Sequence, residues 1–364
     1  MQSPKYIQLK ERILSWIAGG KYRPGDKLPS ENELVEQFSF SRQTVRQSIG
    51  ELVREGWLVR EQGKGTFVGR PSAERRASAG HRTVGVITTS ISDYIFPSIV
   101  RGIEAALKNK GYRLLLSSTD HRKDRERECL EMMLSHAVCG LIVEPTKSAE
   151  GNPNFDNYLA IEQHGIPLLM INEGYSDIAC PSVRIDDDEG GYMAANHVLG
   201  LGHRQVAGFF KTDDMQGVRR MKGFLRACRE HRLPPEKHRA VRYSTEDKHV
   251  RPQRELREML LSERPPTAIV CYNDQLAVSL LDTVRELGLR IPDDLSVIGY
   301  DDSFLATATE VKLTTIEHPK SALGEKAANL LIDRMEAGVM PANEDLLYPP
   351  KLIVRQSAAP IGHR

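Results

Sequence analysis

The sequence predicts an α/β protein made of a small N-terminal winged helix-turn-helix and a larger core of two doubly wound lobes. Three observations carry that expectation. A helix-capping box, a second helix start and a glycine-tipped hairpin follow one another between Ser30 and Val68. From Thr83 onward, short apolar runs alternate with helical patterns in two successive sets. Charge is divided along the chain, with 15 Lys and Arg against 9 Asp and Glu in residues 1–82 and 35 against 40 in the remainder. Attraction to nucleic-acid phosphate is therefore confined to the N-terminal part.

Ser30 is followed three residues later by Glu33, the S-x-x-E spacing that satisfies two free amides at a helix start, and Leu34, Val35 and Phe38 give that helix an apolar face. After a break at Ser39-Phe40, Ser41 caps a second helix with Val45, Ile49, Leu52 and Val53 at helical spacing. Arg42, Gln43, Thr44 and Arg46 then occupy its exposed N-terminal end. Arg pairs with guanine, Gln with adenine, and Thr meets a thymine methyl or a phosphate, so these types suit major-groove readout. Gly56 stops the helix, and Trp57-Leu58-Val59 and Thr66-Phe67-Val68 read as two strands joined by the basic tip Gly63-Lys64-Gly65. A tip of this kind suits a phosphate or minor-groove contact.

Residues 1–69 thus form the first domain. The stretch 70–82 loses apolar periodicity, is rich in Ala, Ser, Arg and Gly, and reads as a linker; 83–364 form the core. In the core, VGVIT, RLLLS, GLIVE and PLLMI are separated by helical patterns, and VAGFF, TAIVCY and LSVIGY form a second set. Strands this apolar imply parallel pairing with both faces covered. Two lobes suit 364 residues better than one sheet. Ligands of such sheets bind beyond the carboxyl ends of the strands, which here carry Asp93-Tyr94, Glu144, Asn172, Asn273-Asp274 and Asp301-Asp302, with Arg220 at a helix start. Carboxylates, amides and a guanidinium around a cleft suit a small polyol, because each hydroxyl both donates and accepts.

The five cysteines show no C-x-x-C and read as reduced core thiols of a cytoplasmic protein. No apolar stretch approaches bilayer length, and MQSPKYIQLKERI is too polar for a signal peptide. Lys64 is followed by Gly rather than Ser or Thr, so the glycine tip is not a nucleotide loop. There is no G-x-S-x-G elbow and no H-E-x-x-H, and the eleven histidines lack ligand spacing. No catalytic residue, metal site or cofactor is assigned. From the residues alone a sugar-modifying α/β enzyme stands as the alternative to a sugar-responsive regulator.

Residues 5–69, with LPSENEL, SRQTVRQSIGELVREGWL and GKGTFV, resemble the winged helix of the GntR family of bacterial regulators. The resemblance implies DNA contacts by Arg42 and Arg46 of S-R-x-T-V-R, with Lys5, Ser30, Glu31, Gln43, Thr44, Gln62, Lys64 and Gly65 as further candidates. Asn32 stands where many members carry Arg. Residues 83–358 resemble the sugar-binding core of LacI/GalR regulators, which has the fold of periplasmic sugar-binding proteins. The matching motifs are G-I-E at Gly102, G-H-R at Gly202, R-x-x-G-F at Arg220, C-Y-N-D-Q at Asn273, G-Y-D-D at Gly299 and L-I-V-R-Q-S at Leu352. Ligand residues carry over as Arg220, Asn273 and Asp301, joined by Tyr94, Glu144, Asp186 and His318. IDDDEGG departs from the usual D-N pair, and His318 fills a position often held by Gln. The fusion of the two modules, with ISDYIFPSIVRGIE and EPTKSA, resembles the arabinose-responsive branch of these regulators. It implies a homodimeric repressor that binds double-stranded operator DNA and is released by a small sugar, L-arabinose being the expected effector; the same design with another sugar, or with the sugar as corepressor, is the variant reading.

Overall fold

Local hydrogen bonds set the helix starts of the head. In the computed structural model, which describes residues 5–18, 21–23, 25–54, 56–61, 64–69, 82–337 and 345–362, helix α1 spans Lys5–Ala18, α2 Glu31–Phe38 and α3 Arg42–Arg54. The Ser30 N–H donates to Glu33 Oε2 (2.7 Å) and Ser30 Oγ accepts from Glu33 N–H (3.3 Å), so the capping box forms as read. Ser41 Oγ accepts from Thr44 N–H at 3.1 Å and starts α3. Strands β1 (Leu58–Glu61) and β2 (Gly65–Val68) pair antiparallel, with Leu58 opposite Val68. Helix α1, which the sequence reading did not single out, contributes Leu9, Ile13 and Trp16 to a core shared with Leu34, Val45, Ile49, Leu52, Leu58 and Val68. The buried Ser48 hydroxyl bonds the Tyr6 carbonyl (2.9 Å) and ties α3 to α1. The linker assigned to 70–82 lies outside the described residues except for Arg82.

The core unit begins with β3 (Thr83–Thr88), α4 (Phe96–Asn109), β4 (Arg113–Ser118), α5 (Lys123–Ser135), β5 (Gly140–Val143), α6 (Phe155–Gln163), β6 (Leu168–Ile171) and β7 (Ser182–Ile185). The chain then crosses to α7 (Asp187–Gly200), β8 (Val206–Lys211), α8 (Met215–Glu230), β9 (His238–Tyr243), α9 (Arg251–Leu260), β10 (Ala268–Cys271), α10 (Asp274–Glu286), β11 (Ser296–Ile298), α11 (Leu305–Ala308) and β12 (Thr315–Glu317). It returns through α12 (Lys320–Ala337) and β13 (Leu346–Tyr348) and ends with β14 (Lys351–Ile353). Lobe 1 is a parallel six-stranded sheet ordered β13-β7-β6-β5-β3-β4, and lobe 2 a parallel sheet ordered β11-β10-β8-β9. Three segments therefore join the lobes, after β7, after β12 and between β13 and β14. β5, β6 and β10 are buried along their whole length, as doubly covered parallel strands must be.

Each lobe brings one helix pair close through glycine. An added Cβ at Gly102 of α4 would lie 2.2 Å from the Ser321 carbonyl oxygen, and one at Gly324 of α12 would lie 2.2 Å from that of Ile99. In lobe 2 the corresponding approaches are Gly191 of α7 to the Arg220 carbonyl (2.1 Å) and Gly223 of α8 to the Asp188 carbonyl (1.9 Å). The α7–α8 contact fixes the backbone from which Arg220 projects.

Gly191→Ala must push these helices apart. We expect it to lower unfolding free energy by about 1–3 kcal/mol, whereas Gly200→Ala, where the added methyl meets open space, leaves stability unchanged or raised. Thermal unfolding of the two variants decides this; a Gly191→Ala protein as stable as wild type contradicts the packing described.

Candidate functional site

At the head, α3 presents Arg42, Gln43 and Arg46 on its exposed N-terminal half. Glu31 takes Arg46 Nε at 2.9 Å on one carboxylate oxygen and Arg60 Nη2 at 2.7 Å on the other. It thus links α3 to strand β1. Exposed pairs of this kind contribute little, about 0–1 kcal/mol, so either arginine can exchange carboxylate for phosphate at small cost. Thr44 is less free than its sequence position implies, since its hydroxyl shares a 2.8 Å bond with Ser41. Ser30 is engaged in the capping box, Lys5 lies 5.7 Å from the centre of the Phe40 ring, and Lys64 pairs with Glu61 at 3.2 Å. Gly65 has φ +126°, in the region that favours glycine. Gln62 and Gly63 lie outside the described residues.

In the core unit a cavity of about 290 Å³ opens between the lobes, near the lower end of small-molecule sites (roughly 300–1,000 Å³). It is lined by Tyr94, Glu144, Arg220, Asn273 and Asp301 from the sequence reading, together with Asn172 and Tyr272. Arg220, at 2% exposure, lies in its wall. Its Nε donates to Asp187 Oδ1 (2.7 Å), its Nη1 to the Tyr272 carbonyl (2.7 Å), and its Nη2 lies 3.5 Å from Asp301 Oδ1. The guanidinium lies 3.6 Å from the Tyr300 ring centre and 4.8 Å from that of Tyr272. A buried guanidinium held by carboxylates and aromatic faces remains charged. Burial lifts Asp187 to about 6 against the pull of Arg220, and burial with the nearby Asp301 charge lifts Asp274 to about 7.

Tyr94 reaches from lobe 1 to lobe 2. Its hydroxyl donates to Asp301 Oδ2 (2.6 Å) and accepts from Asp274 N–H (3.1 Å). Arg219 of α8 donates to Glu173 of lobe 1 at 2.7 Å, and the Met215 N–H to Ser148 Oγ at 2.9 Å. These bonds join the two lobes across the cavity. On the lobe 1 wall Glu144 accepts from Thr89 N–H (2.8 Å), Thr89 Oγ1 (2.7 Å) and Asn172 Nδ2 (2.7 Å), while burial pushes its pKa above the ordinary carboxylate value. Tyr94, Asp120, His121, Lys147, Asn172 and Asp301 line the cavity with φ between +44° and +94°. Such backbone strain collects at binding sites, where surrounding structure holds it.

Two assignments need correction. Asp186 is the N-cap of α7, its Oδ1 accepting from Glu189 N–H at 3.1 Å, and it does not line the cavity. The neighbouring Asp187, one helical step on, turns inward to Arg220. His318 likewise stands behind the wall, 1% exposed, with Nε2 3.2 Å from Asn172 Oδ1. Asn273 does line the cavity, but its Oδ1 is occupied as the α10 N-cap by Leu276 N–H at 2.8 Å, so its Nδ2 is the group left for a ligand. The cavity wall mixes Lys147, Lys211, Arg220 and Lys248 with Asp93, Asp120, Glu144, Glu173, Asp214 and Asp301. No cationic excess favours a phosphorylated ligand over a neutral polyol.

Residues 5–68 match the family described as bacterial regulatory proteins, gntR family, and residues 195–358 match the periplasmic binding protein-like domain. The chain is 51% identical over 360 residues to an arabinose metabolism transcriptional repressor of Geobacillus stearothermophilus, covering 98% of each chain. It is 45% identical to a protein of the same name from Halalkalibacterium halodurans, covering 98% of this chain and 96% of that one. Among solved structures, a LacI family transcriptional regulator from Enterococcus faecium with bound ribose gives a TM-score of 0.66 at 28% identity, covering 77% of this chain and 99% of that one. A periplasmic binding protein/LacI transcriptional regulator from Alkaliphilus metalliredigens complexed with D-xylulofuranose gives 0.64 at 26% identity, over 76% and 99% of the two chains.

Burial holds His318 near pKa 4, below its ordinary value of 6.5. Below pH 6.5 the unfolded chain takes up this proton and the folded chain does not, so the group withdraws stability as pH falls from 6.5 towards 4. Buried carboxylates with raised values act in the opposite sense, so the difference between two proteins isolates it. The stability of wild type relative to His318→Gln should fall by up to about 3 kcal/mol between pH 7 and pH 4. Parallel pH profiles in urea unfolding would contradict the assignment.

Proposed function

The chain belongs to the family of arabinose metabolism transcriptional repressors with a GntR-type head and a LacI-type core, and from this premise we propose that it holds operator DNA as a homodimer and is released by L-arabinose bound between its lobes. It is a regulator and not an enzyme. The observation that carries the sugar reading is the buried Arg220, whose guanidinium is anchored by Asp187 and Tyr272 while Asp301 Oδ1, buried beside it, has no hydrogen-bond partner. A hydroxyl that donates to Asp301 and accepts from the Arg220 and Asn273 N–H groups completes this set. A neutral pentose supplies several such hydroxyls.

The mechanism is a shift of populations. Operators with two-fold symmetry require two heads at fixed spacing, and the core offers the larger surface for association. Sugar binding changes operator affinity only by favouring one arrangement of the lobes over another. Weakening DNA binding about a hundredfold requires roughly 2.7 kcal/mol of coupling. A few bonds across the cleft, of the kind Tyr94 makes with Asp301, are of that order at about 1 kcal/mol each.

Two sets of variants test the reading. Arg42→Ala and Arg46→Ala each remove a base or phosphate contact worth about 1–3 kcal/mol; operator affinity should drop tenfold or more in a gel shift while sugar binding is retained. Wild-type operator affinity in both would overturn the role of α3. Arg220→Ala, Asn273→Ala and Asp301→Ala should still hold operator but lose L-arabinose affinity by about 1–3 kcal/mol, measured by calorimetry on the full chain. Unchanged affinity in all three overturns the cleft, whereas wild-type protein that ignores L-arabinose but binds another sugar overturns only the ligand.

A further inference from the structure

Asn172 follows β6 with φ +65°, a left-handed conformation that asparagine adopts more readily than most residues, and is 2% exposed. Its amide is gripped from two sides. Nδ2 donates to Glu144 Oε1 at 2.7 Å, and Oδ1 lies 3.2 Å from His318 Nε2. Glu144 Oε2 already receives Thr89 N–H and Thr89 Oγ1. A carboxylate receiving three donors acts as acceptor only, so Asn172 must turn its nitrogen to Glu144 and its oxygen to His318. His318 must then carry its proton on Nε2. Its Nδ1 is buried without a hydrogen-bond partner, an arrangement that fits a neutral ring whose Nδ1 lone pair accepts no hydrogen bond, and that penalises a second proton. His318 lies in the segment between β12 and α12 where the chain crosses between lobes, and its backbone N–H donates to the Asp301 carbonyl at 3.3 Å. One residue thus supports both walls of the cavity.

We propose that His318 is a positioning residue for the sugar site, setting the polarity of the lobe 1 wall through Asn172. The inference rests on the reading of the cleft as a sugar site. With Asn172 fixed, the wall offers one amide N–H from Asn172 and one remaining lone pair on Glu144 Oε1, side by side. That pair selects a ligand with two neighbouring hydroxyls, one accepting from Asn172 and one donating to Glu144. Without the His318 donor the amide loses its anchor, and the wall no longer distinguishes donor from acceptor.

The test uses the full-length protein and L-arabinose. In histidine ring-nitrogen NMR, His318 should appear as the neutral Nε2–H form from pH 5.5 to 8; an Nδ1–H form or a ring that protonates near pH 6.5 overturns the proposal. By calorimetry, His318→Leu should weaken L-arabinose binding by about five- to a hundredfold, while His318→Gln, whose amide can donate in place of Nε2–H, retains most of the affinity. Asn172→Gly keeps the backbone conformation and removes the amide. If His318 acts through Asn172, adding His318→Leu to Asn172→Gly costs no further affinity; additive losses overturn the proposal in favour of a purely structural histidine. Should His318→Leu fail to fold, the ring-nitrogen signature and the His318→Gln affinity decide. Absence of binding by wild type to any of a panel of pentoses and hexoses overturns the sugar reading itself, whereas normal wild-type binding with additive losses overturns the relay alone.

Discussion

The burial of the Arg220 guanidinium is the constraint around which the core unit is arranged. An unpaired cation at 2% exposure is untenable, since an isolated buried charge costs several kcal/mol even after relaxation. Asp187, the Tyr272 carbonyl and two tyrosine faces supply the compensation. They come from three places in lobe 2: the start of α7 and the turns that follow β10 and β11. Their convergence requires α7 and α8 to touch backbone to backbone, which Gly191 and Gly223 permit. The charge and the glycines therefore form one design, in which close helix packing delivers a cation to the mouth of the sheet and the groups beyond the strand ends compensate it, with Asp301 Oδ1 buried beside it without a hydrogen-bond partner.

The two lobes carry different chemistry to the same space. Lobe 2 contributes ionic groups around Arg220, whereas lobe 1 contributes the chain of neutral and anionic partners from Thr89 through Glu144 to Asn172. Tyr94 reaches across both, with a strained backbone (φ +59°) and a 2.6 Å bond to Asp301. A hydroxyl donor that bridges lobes in this way is exchangeable for a ligand hydroxyl of the same polarity.

Most of the fold was legible because its signals are local. The capping box at Ser30, the Ser41 helix start and the apolar strands of both sheets depend on neighbours within a few residues. The strands that escaped reading have physical reasons to do so. β9, HRAVRY, is an edge strand with exposed arginines, and β7 is only four residues long and carries Arg184. At the site, residues placed by a strand end, such as Glu144 and Asp301, line the cavity. Asp186 does not, because within IDDDEGG a single residue step rotates the side chain by about 100° on the helix, and composition cannot choose the phase. Asn172 shows the other limit: its position after PLLMI was noted, but its partnership with His318 spans 146 residues and leaves no trace in either segment.

Lobe 1 is discontinuous in sequence, for its sheet is completed by β13 and one face is covered by α12, residues that follow every strand of lobe 2 except β14. Synthesis on the ribosome proceeds from the N-terminus, and domains generally fold as they emerge. The head can close its core once residue 68 has emerged, long before lobe 1 receives the helix that covers Ile99 and Ile103. The order of birth is therefore reader first and sensor last. A nascent or prematurely terminated chain lacking residues 320–348 retains the DNA-reading head beside bare apolar surface, the kind of species that chaperones and proteases remove, which makes cellular quality control a guardian of regulation as well as of folding.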